Sequence, residues 1–196
     1  MSAQALAAED QARANFYALL ARLFYAPPDR GLLATLAAAD EIVAEGGNRA
    51  FALAWRDLTR AAAATEPEAA REEYEEAFVG TGKAQVTLYT AAHMTRSASH
   101  NPLVEIRGFL AMHGLGRMDS AHEPEDHVAA VCDVMRYLVS AGDAAAQRAF
   151  FLAFIQPAAA SLCDAIDDCP RVSLYRAVAL FARRFFELEH AAFNME

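Results

Sequence analysis

Basic residues are scarce in this chain of 196 residues. It carries 17 Lys and Arg against 26 Asp and Glu, which gives a formal net charge of -9. Nucleic-acid binding needs a concentrated face of Lys and Arg that neutralises phosphates, so this composition argues against a nucleic-acid partner. An acidic surface favours a basic ligand or peptide, although the same charge can simply keep a protein soluble.

Long apolar runs and strand-forming residues are also few. The strongest apolar stretches, such as Phe150 to Ile155, are far shorter than the roughly 20 residues that cross a bilayer, so we expect no membrane span. Glu9 and Asp10 stand where a secretory signal would be basic and then apolar, which predicts a cytoplasmic protein. Ala is abundant whereas Val, Ile and Thr are sparse, and this favours helix over sheet.

The cysteines indicate neither a disulfide framework nor a zinc ribbon. Cys132, Cys163 and Cys169 are odd in number and form no Cys-x-x-Cys pair. We therefore expect three buried, reduced thiols.

Apolar residues recur with helical spacing along the chain, interrupted by Pro, Gly and capping residues. The pattern predicts an all-α protein, a single compact bundle of about eight to ten helices that forms one domain over residues 1–196. We expect helices to begin at Asp29, at Asn48, at a capping box formed by Thr65 and Glu68, at Asn101 and at Asp143. A kink or break is predicted at Pro157.

The segment 79–85 is the best candidate for a functional loop in the first half of the chain. It contains Gly80 and Gly82 and has no apolar period. It resembles the end of a phosphate-binding loop, but Ala84 stands where such a loop needs Ser or Thr, and no strand precedes it. These departures argue against nucleotide hydrolysis.

The segment Glu123-Pro124-Glu125-Asp126-His127 stands out most. Pro124 and Glu125 suit the first turn of a helix, where proline is tolerated and a carboxylate meets unpaired amides. A helix start does not explain Asp126 beside His127, because a charged His is unfavourable there. A carboxylate able to pair with an Arg, next to a neutral His, forms a plausible recognition pair.

The same segment supports a competing hypothesis, a metal-dependent hydrolase. Its ligands would be His122, Glu123, Asp126 and His127. However, a zincin motif places its two His four residues apart on one helix face, and here the spacing is five. Four such residues at a helix start are more often a cap and a solvated first turn.

At this point the sequence resembles the TorD/DmsD family of redox-enzyme maturation chaperones, whose signature is Glu-Pro-x-Asp-His. Glu123, Pro124, Asp126 and His127 match it position by position. Further similarity lies in Tyr74, Phe78, Gly80 and Gly82, in Thr87-Leu88-Tyr89, and in Leu174-Tyr175-Arg176-Ala177. The sequence departs from the family at Gln85-Val86, Phe154 and Ala158, where the family often has Pro, His or Trp.

The resemblance implies a cytoplasmic chaperone, not an enzyme, that binds the twin-arginine signal peptide or the apo form of a molybdenum-containing oxidoreductase until its cofactor is inserted. A twin-arginine peptide is basic and then apolar, so our candidates for the arginine contacts are Glu123 and Asp126, and for a peptide carbonyl or carboxylate His127. Tyr89 is a candidate for a groove wall or, equally, a core residue. We expect no metal, a monomer or homodimer, and no cofactor beyond the weak guanine-nucleotide or molybdopterin contact that the family suggests.

Overall fold

The computed structural model describes residues 6–43, 48–80, 83–94, 101–117 and 122–195. Every regular element in these ranges is helical, and adjoining stretches combine into nine continuous helical segments. The α-helices are α1 (Ala8–Tyr25), α2 (Arg30–Ala37), α3 (Arg49–Ala64), α4 (Pro67–Tyr74), α5 (Thr90–His93), α6 (Pro102–Met112), α7 (Val128–Ala141), α8 (Ala144–Phe150), α9 (Gln156–Asp167) and α10 (Leu174–Met195). The prediction of an all-α fold is confirmed.

Side-chain caps begin several helices where the sequence predicts them. Asp29, Asn101 and Asp143 each accept a hydrogen bond from the backbone N–H three residues on, at 2.8, 3.5 and 2.9 Å. Asn48 precedes α3 but its side chain forms no cap bond. Gly142 ends α7 in the left-handed conformation, as a glycine at this position commonly does.

The capping box predicted at Thr65 does not form. The hydroxyl of Thr65 donates to the carbonyl of Ala61, at 2.7 Å, and thereby closes α3 rather than opening α4. The carboxylate of Glu68 instead pairs with Arg71. Because both side chains have other partners, α4 begins at Pro67 without the reciprocal bonds.

The chain groups into two compact units. Unit 1 comprises Met1–Phe24 and Tyr89–Ala158, and unit 2 comprises Tyr25–Leu88 and Ala159–Glu196. Unit 1 therefore contains α5 to α8, whereas α2, α3, α4 and α10 belong to unit 2. The expectation of one domain stays a prediction.

Aromatic residues hold the centre of unit 2, where α3 packs against α2 and α10. The ring of Phe181 lies 5.5 Å from that of Phe51 and 5.3 Å from that of Trp55, measured between centroids. The indole N–H of Trp55 is satisfied by the carbonyl of Asp40 at 2.9 Å. This bond meets the need of a buried indole for an acceptor and secures the segment after α2.

A carboxylate of α4 caps the start of α10. The two side-chain oxygens of Glu73 accept the backbone N–H groups of Leu174 and Tyr175, each at 3.2 Å. The first amides of a helix have no partner within the helix, and its N-terminus favours negative charge. Glu73 therefore links two helices that are about a hundred residues apart in sequence.

The core of unit 1 forms where α7 packs against α8. The rings of Phe109, Phe150 and Phe154 make one cluster, with centroid distances of 5.0 to 6.1 Å. The inner face of α7 carries Val131, Cys132, Met135, Leu138 and Val139, all buried.

The three cysteines are free and buried as predicted, and burial raises the pKa of the Cys163 thiol to about 12.

Pro157 does not break its helix. The preceding residues, Phe151–Ile155, take the wider π-helical form, and the helix then continues through α9. A proline lacks the N–H of the helical ladder and crowds the carbonyl four residues back, and a π-helical turn accommodates both defects. By length and composition the segment Ala144–Asp167 could cross a membrane, but its large apolar side chains such as Phe150, Phe151 and Ile166 are buried in the protein.

The predicted loop at Gly80 follows a second π-helical turn, Glu75–Val79. Gly80 has φ +64°, and a Cβ atom there would lie 2.3 Å from the carbonyl oxygen of Lys83. The close approach of the two backbone segments therefore requires glycine. Gly82 lies outside the described residues.

Candidate functional site

The Glu-Pro-x-Asp-His segment is joined to the residues that open α5. Tyr89 and His127 form an isolated antiparallel β-bridge. The backbone N–H and the hydroxyl of Thr90 both donate to the carbonyl of Asp126, at 2.8 and 3.0 Å. Tyr89 is thus brought to the motif, although 34 to 38 residues separate them in sequence.

The prediction that Pro124 and Glu125 open a helix is wrong. Residues 124–127 form a turn, closed by a 3.0 Å bond from the N–H of His127 to the carbonyl of Pro124, and α7 begins at Val128. The carbonyl of Asp126 is occupied by Thr90, so it does not accept the first helical bond. That role falls to the carbonyl of His127, which accepts the N–H four residues on at 3.0 Å.

His127 is the N-cap of α7. Its Nδ1 accepts the backbone N–H of Ala129 at 3.2 Å, which requires Nδ1 to be unprotonated. The side chain is 5% exposed, and burial lowers the pKa of the imidazole. His127 is therefore a neutral imidazole with its proton on Nε2, and it has the structural role that the sequence analysis assigned to Pro124 and Glu125.

Glu125 fastens the turn to α6. One of its carboxylate oxygens accepts both Nε and Nη2 of Arg107, at 3.0 and 2.9 Å. This guanidinium lowers the pKa of the Glu125 carboxyl. The negative charge of Glu125 is thus neutralised within the site.

Glu123 and Tyr89 form the outer part of the site. The phenol of Tyr89 donates to the carboxylate of Glu123 at 3.0 Å, and 39% of Tyr89 is exposed. The ring of Tyr89 stands edge to face against the imidazole of His127, with centroids 5.6 Å apart. Burial and the neighbouring Glu123 raise the pKa of the phenol, so Tyr89 is a hydrogen-bond donor at neutral pH.

Asp126 is 6% exposed, and burial raises the pKa of its carboxyl. Its carbonyl is bonded, but across the described ranges no Lys or Arg side chain forms an ion pair with its carboxyl group. Arg107 acts on it only through space, since the guanidinium is bonded to Glu125. Asp126 is therefore a buried acid in the same turn as a partly exposed acid, Glu123.

The hydrolase hypothesis finds no assembled ligand set. His122 is exposed, whereas Asp126 and His127 are buried, and one nitrogen of His127 is used as a cap. In the part of the chain that the structure describes, no group of three or more His, Cys, Asp or Glu side chains could hold a metal ion.

The loop at Gly80 borders a separate groove of about 780 Å³ in unit 2, with Tyr74, Glu75, Glu76 and Val79 among its lining residues. Its acids are largely paired, since Glu75 is bonded to Arg71 and Glu76 to Arg171. The groove is consequently less acidic than its sequence indicates.

Thr90 and Arg107 belong to the site but were not predicted from the sequence. Arg107 is the one basic residue of α6, which is otherwise largely apolar. An isolated charge on such a helix indicates in the sequence that Arg107 has a specific partner. The partner itself, Glu125, could not be predicted, because it lies 18 residues away in a turn that helical periodicity does not describe.

Comparison with protein-family models gives a match over more than half of the chain. The family model described as nitrate reductase delta subunit matches residues 45–164, a range that includes Tyr89 and the whole motif. The chain belongs to the nitrate reductase delta subunit family. The match confirms the resemblance to the TorD/DmsD redox-enzyme maturation chaperones.

A solved structure shares the fold of this member of the nitrate reductase delta subunit family. It is the crystal structure of a proposed redox enzyme maturation protein from Archaeoglobus fulgidus, with a TM-score of 0.54 and 17% identity. The alignment covers 89% of this chain and 93% of that one. No curated protein sequence matches the chain.

Proposed function

We propose that this protein is a cytoplasmic maturation chaperone that binds the twin-arginine signal peptide or the apo form of a molybdenum-containing oxidoreductase. It acts by binding rather than by catalysis, and it holds its client until the cofactor is inserted, before export or assembly. Membership of the family supports the general role. The chemistry of the motif supports the basic peptide as ligand.

The observation that carries this proposal is the buried carboxyl group of Asp126. A buried carboxylate without a bonded cation is costly, and burial accordingly raises its pKa. The guanidinium of an incoming Arg would pair with this carboxylate and offset the cost of burying its charge. The site is thus complementary to an arginine that none of the described residues provides.

We assign the roles of the site as follows. Glu123 receives one arginine at the surface, and Asp126 receives the second. The Nε2–H of His127 donates to a carbonyl or carboxylate of the peptide, since Nδ1 is already used by the cap. Tyr89 forms the groove wall with its exposed ring.

The test is a titration of the purified protein with a fluorescein-labelled peptide that carries two adjacent arginines followed by an apolar run of about 12 residues. Asp126→Asn should weaken binding by about 1.5 to 3 kcal/mol, the value of a charge-assisted hydrogen bond. Glu123→Gln should weaken it less, because this carboxylate is closer to solvent. Raising the salt concentration should weaken binding to wild type, because part of the attraction is between screened charges.

Asp133→Asn is the matched control. Asp133 is an exposed acid of α7, bonded to Arg136, so its removal changes net charge equally but leaves the motif intact. Equal losses in Asp126→Asn and Asp133→Asn would mean that the peptide senses overall charge alone. Binding by both motif variants at wild-type strength would refute the assignment of the site.

A further inference from the structure

Helix α6 is apolar on both sides. Its inner face carries Ile106, Phe109 and Leu110, which are buried in unit 1. On the outer side Val104 is 60% and Met112 78% exposed. An exposed apolar stripe on a helix often marks an interaction site, and this one lacks a partner among the described residues.

Gly108 lies in the middle of this outer face. A Cβ added there would meet nothing within 4 Å, and the residue does not have a positive φ. Neither the packing of this chain nor its backbone conformation requires glycine at this place, and glycine weakens a helix interior. A glycine is useful there if another polypeptide approaches the helix closely.

The outer face of α6, defined here by Val104, Gly108, Ala111 and Met112, adjoins the motif. Successive residues of a helix advance by about 100°, so Arg107 lies at one edge of this face and Glu105 at the other. Arg107 is the residue that binds Glu125 of the turn. The apolar face therefore lies between Glu105 on one edge and the Arg107–Glu125 ion pair on the other, and this pair joins it to the acidic turn.

We propose that the outer face of α6 binds the apolar run of the leader peptide, while the arginines of that peptide engage the adjoining motif. This inference rests on the proposed function and extends it to the hydrophobic half of the ligand. A basic segment followed by an apolar one matches an acidic turn beside an apolar face. A second copy of this chain fits less well, because it would bring its own charge of -9 and a second copy of the acidic turn.

The experiment compares Gly108→Leu and Met112→Lys with wild type in the titration described above. Gly108→Leu fills the space that the peptide backbone would occupy, and Met112→Lys places a charge against the apolar run. Each should lower affinity about tenfold or more, by loss of close contact or of apolar burial. Leu is a better helix former than Gly, so Gly108→Leu should melt at or above the temperature of wild type, which separates loss of binding from loss of folding.

Met195→Lys is the matched control, since Met195 is 82% exposed and belongs to unit 2. It should bind like wild type. A second peptide, with its apolar run replaced by Ser and Asn, should bind wild type weakly and respond little to the α6 variants.

The outcomes separate the two proposals. Wild-type affinity in both α6 variants, together with weak binding by Asp126→Asn, would overturn this inference and leave the proposed function standing. Absence of peptide binding by wild type would refute both. A wild-type dimer in sedimentation that Gly108→Leu dissociates, with peptide affinity unchanged, would identify a second copy as the occupant and would also overturn the inference.

Discussion

Replacing His127 by Ala should destabilise the protein as well as affect its binding. The change removes the acceptor for the N–H of Ala129, and loss of an N-cap side chain costs about 1 kcal/mol. It also removes the edge-to-face contact with Tyr89, worth about 0.5 to 1.5 kcal/mol. The free energy of unfolding should fall by about 2 kcal/mol, which corresponds to a decrease in melting temperature of about 4 to 8 °C for a chain of this size.

His127→Asn separates the two contributions. Asn is a good N-cap residue, so this variant should retain the bond to α7 and lose mainly the ring contact, about 1 kcal/mol. Urea unfolding, followed by the circular-dichroism signal of the helices, and scanning calorimetry would measure the stability of both variants. His122→Ala is the control, because His122 is exposed just before the turn.

The reasoning would be refuted by a His127→Ala protein as stable as His122→Ala. It would also fail if the Asn and Ala variants lost the same free energy, since the cap would then contribute nothing. In the first case His127 would act in client binding alone, as the sequence analysis expected.

Three further predictions follow from the structure. Burial holds the pKa of His127 below 6.5 in the folded protein, so on acidification the unfolded chain is protonated at this residue before the folded protein is. The stability that depends on a neutral His127 should therefore be present above about pH 6.5 and be lost below it. His127→Asn should remove this pH dependence from a stability profile measured by urea unfolding. Gly80→Ala should lower the free energy of unfolding in urea more than Gly114→Ala does. Both variants meet the backbone cost of about 1 to 2 kcal/mol for a left-handed residue. Only Gly80→Ala adds a clash with backbone atoms, because a Cβ atom at Gly114 meets nothing within 4 Å. Glu73→Gln should lower the free energy of unfolding by about 1 kcal/mol, because it removes the negative charge that caps the N-terminus of α10. This effect should shrink at high salt. Glu72→Gln, at an exposed position, should change the free energy of unfolding little.

Local features of the fold could be predicted because they depend on residues close together in sequence. The caps at Asp29, Asn101 and Asp143 need a side chain and an amide three residues apart, and α7 shows its buried stripe as a 3.6-residue period. The motif itself could also be found, since Asp126 beside His127 is unusual at a helix start.

The start of α7 could not be predicted correctly because a distant residue decides it. Locally, Pro124 and Glu125 suit a helix start as well as His127 does. The carbonyl of Asp126 is occupied by Thr90, 36 residues away, and Glu125 is bonded to Arg107 on α6. Those bonds exist only after the chain has folded, and they move the cap to His127.

By itself the sequence determined an all-α protein with the motif of its family, because helical periods, caps and short motifs are written in neighbouring residues. The tertiary structure decided which motif residues face solvent and which are buried. Glu123 and Tyr89 form the outer pair, whereas Asp126 and His127 lie beneath them. The reason is that burial and hydrogen bonding between α5, α6 and the turn depend on distances between segments, which spacing along the chain does not specify.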